Sequence, residues 1–348
     1  MTHHAAPESS LSFFCGRAAL HVFENQDDLG RRTAEELAGD ILQTAANRPV
    51  VLWLMAAPSA FPFYEAFLAR VRQDPELRRA LTRTHFFQFD DYPIARGTPR
   101  FPATFRHLLE TRFYQPLAAA CETPLAFHPL ELRGDAGDAA VQRRYTEELL
   151  ALREQGARLL QLKGTGMDGH WGFHGAETPL ASPAGMITVP MTGQNVRQQM
   201  LDWPGLFPTP DQVPQNAVTF NVAMFLMADR IIDNTPQPQK EYAVLAAYGT
   251  ETILDAIPSS ALKQHPRAEV FLTRAAAQAL LDFRASRARD PRGMLDASTH
   301  QRLRALWRDP TDPEGEAAHV AVMETVLATL GMTETPAAVR TAAGAKQG

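Results

Sequence analysis

Asp168 and His170 stand two residues apart in the stretch Lys163-Gly164-Thr165-Gly166-Met167-Asp168-Gly169-His170, followed by Trp171-Gly172-Phe173-His174-Gly175. A carboxylate beside an imidazole is a proton-handling pair. Histidine titrates near neutrality, and the acid can hold one tautomer and favour the charged ring. The surrounding glycines let the backbone turn tightly and come close to a ligand.

Ala157-Arg158-Leu159-Leu160-Gln161-Leu162, just upstream, reads as a short buried strand that delivers this loop. Further strands are expected at 18–23, 49–54, 84–89, 186–189, 217–220, 230–232 and 269–272. Helices are expected at 27–47, 61–72, 102–117, 139–155 and from Lys240 to Tyr248. The continuous apolar run Val50-Val51-Leu52-Trp53-Leu54 is typical of a parallel sheet covered on both faces. This alternation implies an α/β fold with a doubly wound, mostly parallel sheet and helices on both faces. Ligands in such folds sit at the carboxyl edge of the strands. The expected organisation is a mobile polar N-terminus at 1–15, an α/β domain at 16–285, and a helical C-terminal extension at 286–348 with a disordered tail.

The formal net charge of −5 argues against a nucleic-acid partner. Cys15 and Cys121 alone imply no disulfide framework, and no CxxC or HExxH pattern points to a metal. The longest apolar run is too short to span a membrane, and the start lacks a signal-peptide pattern. A soluble cytoplasmic protein is expected.

Three ligand-edge segments lie in order: Phe89-Asp90-Asp91-Tyr92, Gly164 to His170, and Gln237-Pro238-Gln239-Lys240. With Leu180-Ala181-Ser182, Val213-Pro214 before Ala217-Val218-Thr219, and His265-Pro266-Arg267-Ala268, they resemble the glucosamine-6-phosphate deaminase/isomerase family. The larger group also contains 6-phosphogluconolactonases. The resemblance covers roughly residues 20–280, and Tyr92 and Phe173 favour the deaminase side. It implies ring opening of an amino sugar and proton transfer from C2 to C1, with ammonia release. Asp168 and His170 would open the ring, Asp90 would carry the C2 proton, and Lys240 would bind the substrate phosphate. Asp91, Ser59, Gly164, Gly166 and Arg197 complete the expected substrate site. No cofactor is required, because the opened carbonyl is its own electron sink. The partner is a small sugar or sugar phosphate, and a homo-oligomer is compatible with the resemblance.

The chain departs from the family in its phosphate loop. Met55-Ala56-Ala57-Pro58-Ser59-Ala60 replaces Pro-Thr-Gly-Gly-Thr-Pro, both glycines are gone, and Pro58 removes a backbone donor. A family arginine expected near Met200 is missing, with Arg197 one turn away. Gly175 stands where deaminases carry glutamate, and Glu177 is two residues off. The alternatives are a rebuilt phosphate site, an unphosphorylated or differently decorated sugar, a lactonase-like hydrolase that needs His170 alone, and a non-catalytic sugar-binding relative.

Overall fold

Strand β3 (Val50–Leu54) is buried at every position, so each of its faces must be covered by other elements. In the computed structural model, which describes residues 7–310 and 312–334, β3 lies inside an eight-stranded sheet. The other strands in chain order are β1 (Leu11–Cys15), β2 (Ala18–Phe23), β4 (Thr84–Gln88), β5 (Asp90–Asp91), β6 (Ala126–His128) and β7 (Arg158–Lys163). They are followed by β8 (Met186–Pro190), β9 (Asn216–Phe220), β10 (Arg230–Thr235) and β11 (Ala268–Thr273). The large sheet runs β1-β2-β11-β10-β7-β3-β4-β6, and every pair is parallel except β1 with β2.

Parallel order puts the carboxyl ends of β3, β4, β7 and β10 side by side, which is where their following loops converge. The opposite edge is pinned by charge. Arg158, opening β7, pairs with Asp40 at 2.7 Å, and Arg230, opening β10, pairs with Asp40, Glu269 and, at 2.7 Å, Glu36. Ion-paired arginines thus hold one edge of the sheet while the other is left for chemistry.

Three expectations are corrected, and two of the expected strands find a sheet of their own. The N-terminus to residue 15 was expected to be mobile, but Leu11–Cys15 forms an antiparallel pair with β2; residues 1–6 lie outside the described residues. The expected helix 102–117 is broken. Asp91 and Thr104 cap a new start at Phe105, and Pro116 lacks the N–H that would continue the ladder behind a π turn at 110–114. β8 and β9 do not join the large sheet but form a three-stranded antiparallel sheet with β5. The last helix of the α/β region, Arg274–Arg289, runs through the boundary drawn at 286. Helices Ala297–Ala305 and Pro313–Thr329 follow it, burying Leu303, Met323 and Leu327, with Trp307 buried between them in the chain; the expected disordered tail beyond 334 lies outside the described residues. No described helix is long and apolar enough to cross a membrane.

Candidate active site

The loops after β3, β4, β7 and β10 converge on a cleft. Its polar lining includes Ser59, Asp90, His170, Gln198, Gln199, Asp202 and Lys240, set among Phe89, Phe105, Phe173 and Trp203. Gly164 and Gly166 also face it.

Asp90 is held by both sheets. It follows β4 of the large sheet and pairs, as the first residue of β5, with Thr219 of β9. Gly172, at φ +64°, packs so close that an added Cβ would lie 2.5 Å from Thr219 Oγ1 and 3.4 Å from Asp90 Oδ2. Only glycine fits. Asp90 is 4% exposed, and burial together with the neighbouring Asp91 pushes its carboxyl well above the usual carboxylate range.

Asp168 Oδ1 lies 2.6 Å from His170 Nδ1 and also accepts the His170 backbone N–H at 3.0 Å. Burial alone would raise the Asp168 carboxyl, but His170 and then Lys240 outweigh it and hold it at about 2. The acid is therefore a fixed negative charge behind the imidazole. Among the described residues no group hydrogen-bonds His170 Nε2, which leaves that nitrogen for the cleft. Gly166 makes room for the ring: a Cβ there would stand 2.2 Å from His170 Cε1.

A buried polar network supports this loop from beneath. Lys163 Nζ contacts Asp233 at 2.9 Å, Thr165 Oγ1 at 3.1 Å and Ser259 Oγ at 3.0 Å, and lies 4.6 Å from the Trp171 ring centre. Ser259 Oγ in turn donates to His170 O at 3.1 Å, and Ser259 N donates to Gly169 O at 2.9 Å. Thr165 Oγ1 and Tyr248 Oη both donate to Asp233. Burial lowers the Lys163 pKa, and Asp233 opposes that shift.

Lys240 is 3% exposed; its backbone N–H donates to Gln237 O at 3.1 Å, and among the described residues its Nζ makes no hydrogen bond or ion pair. Burial lowers its pKa, with Asp202 and Asp168 acting in the other direction. Ser59 sits across the cleft in a short 3-10 turn, and Asn234 Nδ2 donates to Ser59 O at 2.8 Å, tying that turn to β10.

Asp90, His170, Ser59, Gly164, Gly166 and Lys240 therefore converge, with Asp168 directly behind His170. Two expected substrate contacts do not join them. Asp91 accepts hydrogen bonds from the backbone of Tyr92, Phe105 and Arg106 and from Gln88 Nε2, so it caps a helix start and does not line the cleft. Arg197 donates to Trp307 O at 2.6 Å and Arg308 O at 2.7 Å, on the far side of its helix. Glu177 is exposed and folds back over Gly175. It does not supply the missing glutamate.

Gln198, Gln199 and Asp202, by contrast, were not anticipated. They belong to helix Gly193–Asp202, capped by Thr192, whose buried positions are the amides Asn195, Gln198 and Gln199. A Thr one residue before a helix-compatible run was the one available signal. Gln198 Oε1 accepts from Met167 N at 3.0 Å, and its Nε2 donates to Asp202 Oδ2 at 3.4 Å. Burial raises the Asp202 carboxyl, and Lys240 opposes it.

No family model matches the chain. A glucosamine-6-phosphate deaminase of Staphylococcus aureus (strain JH9) is 31% identical over 140 residues, covering 40% of this chain and 52% of that protein. The chain thus spans about half the length of the curated relatives it matches. Among solved structures, a monomeric glucosamine-6-phosphate deaminase aligns with a TM-score of 0.60 at 24% identity, over 74% of this chain and 98% of that one. A 6-phosphogluconolactonase from Thermotoga maritima aligns with a TM-score of 0.52 at 14% identity, over 73% and 98%. This chain shares its fold with both solved structures.

Proposed function

We propose that this chain, a divergent relative of the glucosamine-6-phosphate deaminases in sequence and fold, is an enzyme that isomerises and deaminates an amino sugar in the cleft at the carboxyl edge of its sheet. The observation that carries the reading is the meeting of two separately anchored acid–base groups on one cleft: Asp90 from β5, and His170 with Asp168 behind it.

His170 Nε2 exchanges a proton with the ring oxygen as the hemiacetal opens to the aldehyde. Asp168 keeps the opposite ring nitrogen charged-side inward and stabilises the imidazolium. Asp90, once ionised, takes the proton from C2. The C2–H electron pair moves into a C1–C2 double bond as the C1=O pair moves onto O1, which takes back the proton that O1 gave up on ring opening, and the proton held on Asp90 is then delivered to C1. The nitrogen at C2 is then an iminium, which water hydrolyses to a ketone with loss of ammonia. Atoms balance as amino sugar plus water giving ketose plus ammonia. The raised Asp90 pKa makes its carboxylate a stronger base than a solvated one, which this carbon acid needs. A lactone hydrolase would leave Asp90 without a task, and nothing in the geometry favours it.

Ammonia release from glucosamine and from glucosamine 6-phosphate tests the reading. The expected result is turnover of at least one sugar, abolished in both Asp90→Asn and His170→Ala. If either variant keeps full activity, the assignment of that residue is wrong.

A further inference from the structure

Ser259 is fully buried and does not line the cleft, yet it holds the backbone of the residue that performs the proposed ring opening. It is the second residue of the 3-10 run Pro258–Gln264, between β10 and β11. Its N–H donates to Gly169 O at 2.9 Å and its Oγ donates to His170 O at 3.1 Å, so one residue takes two consecutive carbonyls of the loop. Gly166 N donates to the same His170 O at 3.0 Å. On the amide side, the His170 N–H is held by Asp168 Oδ1 at 3.0 Å, the oxygen that also stands 2.6 Å from Nδ1 of the ring. Both polar groups of the His170 backbone are thus fixed, and with them the direction in which the imidazole leaves it. The loop also rests on this turn: Gly169, at φ +90°, packs so close that an added Cβ would lie 2.8 Å from Ile257 Cγ2.

Lys163 sets the direction of the Ser259 hydroxyl bond. An ammonium has three N–H groups and nothing to accept with. Those of Lys163 reach Asp233 Oδ2 at 2.9 Å, Thr165 Oγ1 at 3.1 Å and Ser259 Oγ at 3.0 Å, which uses all three. Toward Lys163 the Ser259 oxygen can only accept, and its single hydrogen is left for His170 O. Thr165 repeats the pattern, accepting from Lys163 and donating to Asp233 Oδ2 at 2.7 Å. Lys163 is placed by the large sheet, since it ends β7 opposite Asp233 of β10. Lys163, Asp233 and Ser259 are all fully buried, so water does not compete for these bonds. A methyl in place of the hydroxyl would fill much of the same space but could not supply the directed hydrogen.

We infer that Ser259 is a positioning residue for His170: its hydroxyl, oriented by Lys163, holds the His170 carbonyl so that the imidazole stays against Asp168 and turns Nε2 to the cleft. The part this plays in the reaction rests on the proposed function, which takes His170 as the ring-opening group. The placement of the ring does not.

Two measurements with the full chain separate its failure from the failure of the proposed reaction. The first reads the ring without substrate. In proton–nitrogen NMR spectra of the imidazoles, the His170 signals are identified by their loss in His170→Ala. Ser259→Ala should displace them in the direction that Asp168→Asn does, and Ser259→Thr, which keeps the hydroxyl, should leave them near the parental positions. The second is ammonia release from glucosamine and glucosamine 6-phosphate. In Ser259→Ala kcat should fall at least tenfold with KM little changed, the pattern of a group that serves the transition state and not sugar binding. Ser259→Cys, close in size but a weak donor, should behave as the alanine does, which separates the hydrogen bond from the space it fills. Parental ring signals in Ser259→Ala and Ser259→Cys overturn the inference whatever the turnover. Displaced signals with parental kcat, beside an inactive His170→Ala, overturn its part in the reaction. If the parent turns over neither sugar, the reaction reading falls and the ring signals alone decide the positioning.

Discussion

Asp90 and Thr219 face each other across the β5–β9 pair, and Thr219 Oγ1 accepts the Phe173 N–H at 3.1 Å. Thr219 therefore joins the two, pairing through its strand with the one that carries the proposed carbon-acid base and through its hydroxyl with the loop that carries His170. The two halves of the site are set in register by a small antiparallel sheet, not by the large parallel one.

Asp90→Asn should lower kcat by about 10²- to 10⁴-fold, the usual worth of a positioned acid–base group. It should also change stability with a defined sign. Because burial and Asp91 raise the Asp90 pKa in the folded chain, folding takes up a proton that the unfolded chain releases. That contribution is complete below the ordinary carboxylate value and is lost as pH rises through the raised one. The variant should melt higher than the parent at pH 8, with the gap closing toward pH 4. Calorimetry at both values reads this, and a lower melting point at pH 8 would contradict it.

Asp168 has the opposite sign. Its carboxyl is held at about 2 because His170 and Lys240 outweigh burial. The stability it contributes is present above the ordinary carboxylate value and is lost as pH falls from about 4 toward 2. Asp168→Asn should flatten the acid limb of a melting-temperature profile over that window. An unchanged acid limb would mean that the contact with His170 carries no such weight.

Gly166→Ala probes placement and not chemistry. The new methyl would collide with the His170 ring, so the imidazole must turn off Asp168. We expect kcat to fall at least tenfold while the circular dichroism spectrum stays that of the parent. A variant with parental kcat would show that the ring tolerates displacement.

Lys163→Met leaves Asp233 as a buried charge without its cation. Breaking one side of such a pair costs about 3–5 kcal/mol, and urea unfolding should register it. Asp233→Asn together with Lys163→Met should recover part of the loss. Equal instability of the single and double variants would rule out the pair as the cause.

Arg197→Ala should leave KM for the sugar within about twofold and act on stability, by about 1.5–3 kcal/mol per charged hydrogen bond lost. Its guanidinium binds the carbonyls of Trp307 and Arg308, and limited proteolysis should open the chain near residue 308 first. A large rise in KM would return Arg197 to the substrate site.

The sequence displayed the large sheet where burial is two-sided. Val50–Leu54 and Arg158–Lys163 are buried at every position; the unbroken apolar run of the first announces that directly, and the leucines of the second do so only in part. Leu11–Cys15 was hidden because it is an edge strand with Phe14 71% exposed, so its alternation does not mark a core face. Ala126–His128 is too short and too exposed to carry a period. Within the site, Asp90, Asp168, His170 and Lys240 could be read because acid–base residues after strands stand out against glycine. Helix Gly193–Asp202 could not. It buries amides where a core helix would bury aliphatics, because its inner face looks onto the cleft, and hydrophobic periodicity fails where polar groups are kept for a ligand. Arg197 and Asp91 were misplaced for a related reason: spacing brings a charged residue to the right loop but does not say to which side it turns.

Helix Gly193–Asp202 is gripped from outside by chain made more than a hundred residues later. Arg197 holds Trp307 O and Arg308 O, Gly193 lies against His319, and Trp307 packs on Tyr242, two residues past Lys240. During synthesis, then, the loop carrying His170 and Asp90 can be in place while one wall of the cleft is still unbraced. The order of synthesis separates placing Asp90 and His170 from bracing the cleft wall formed by helix Gly193–Asp202. A nascent chain halted before residue 307 would hold the first without a fixed form of the second.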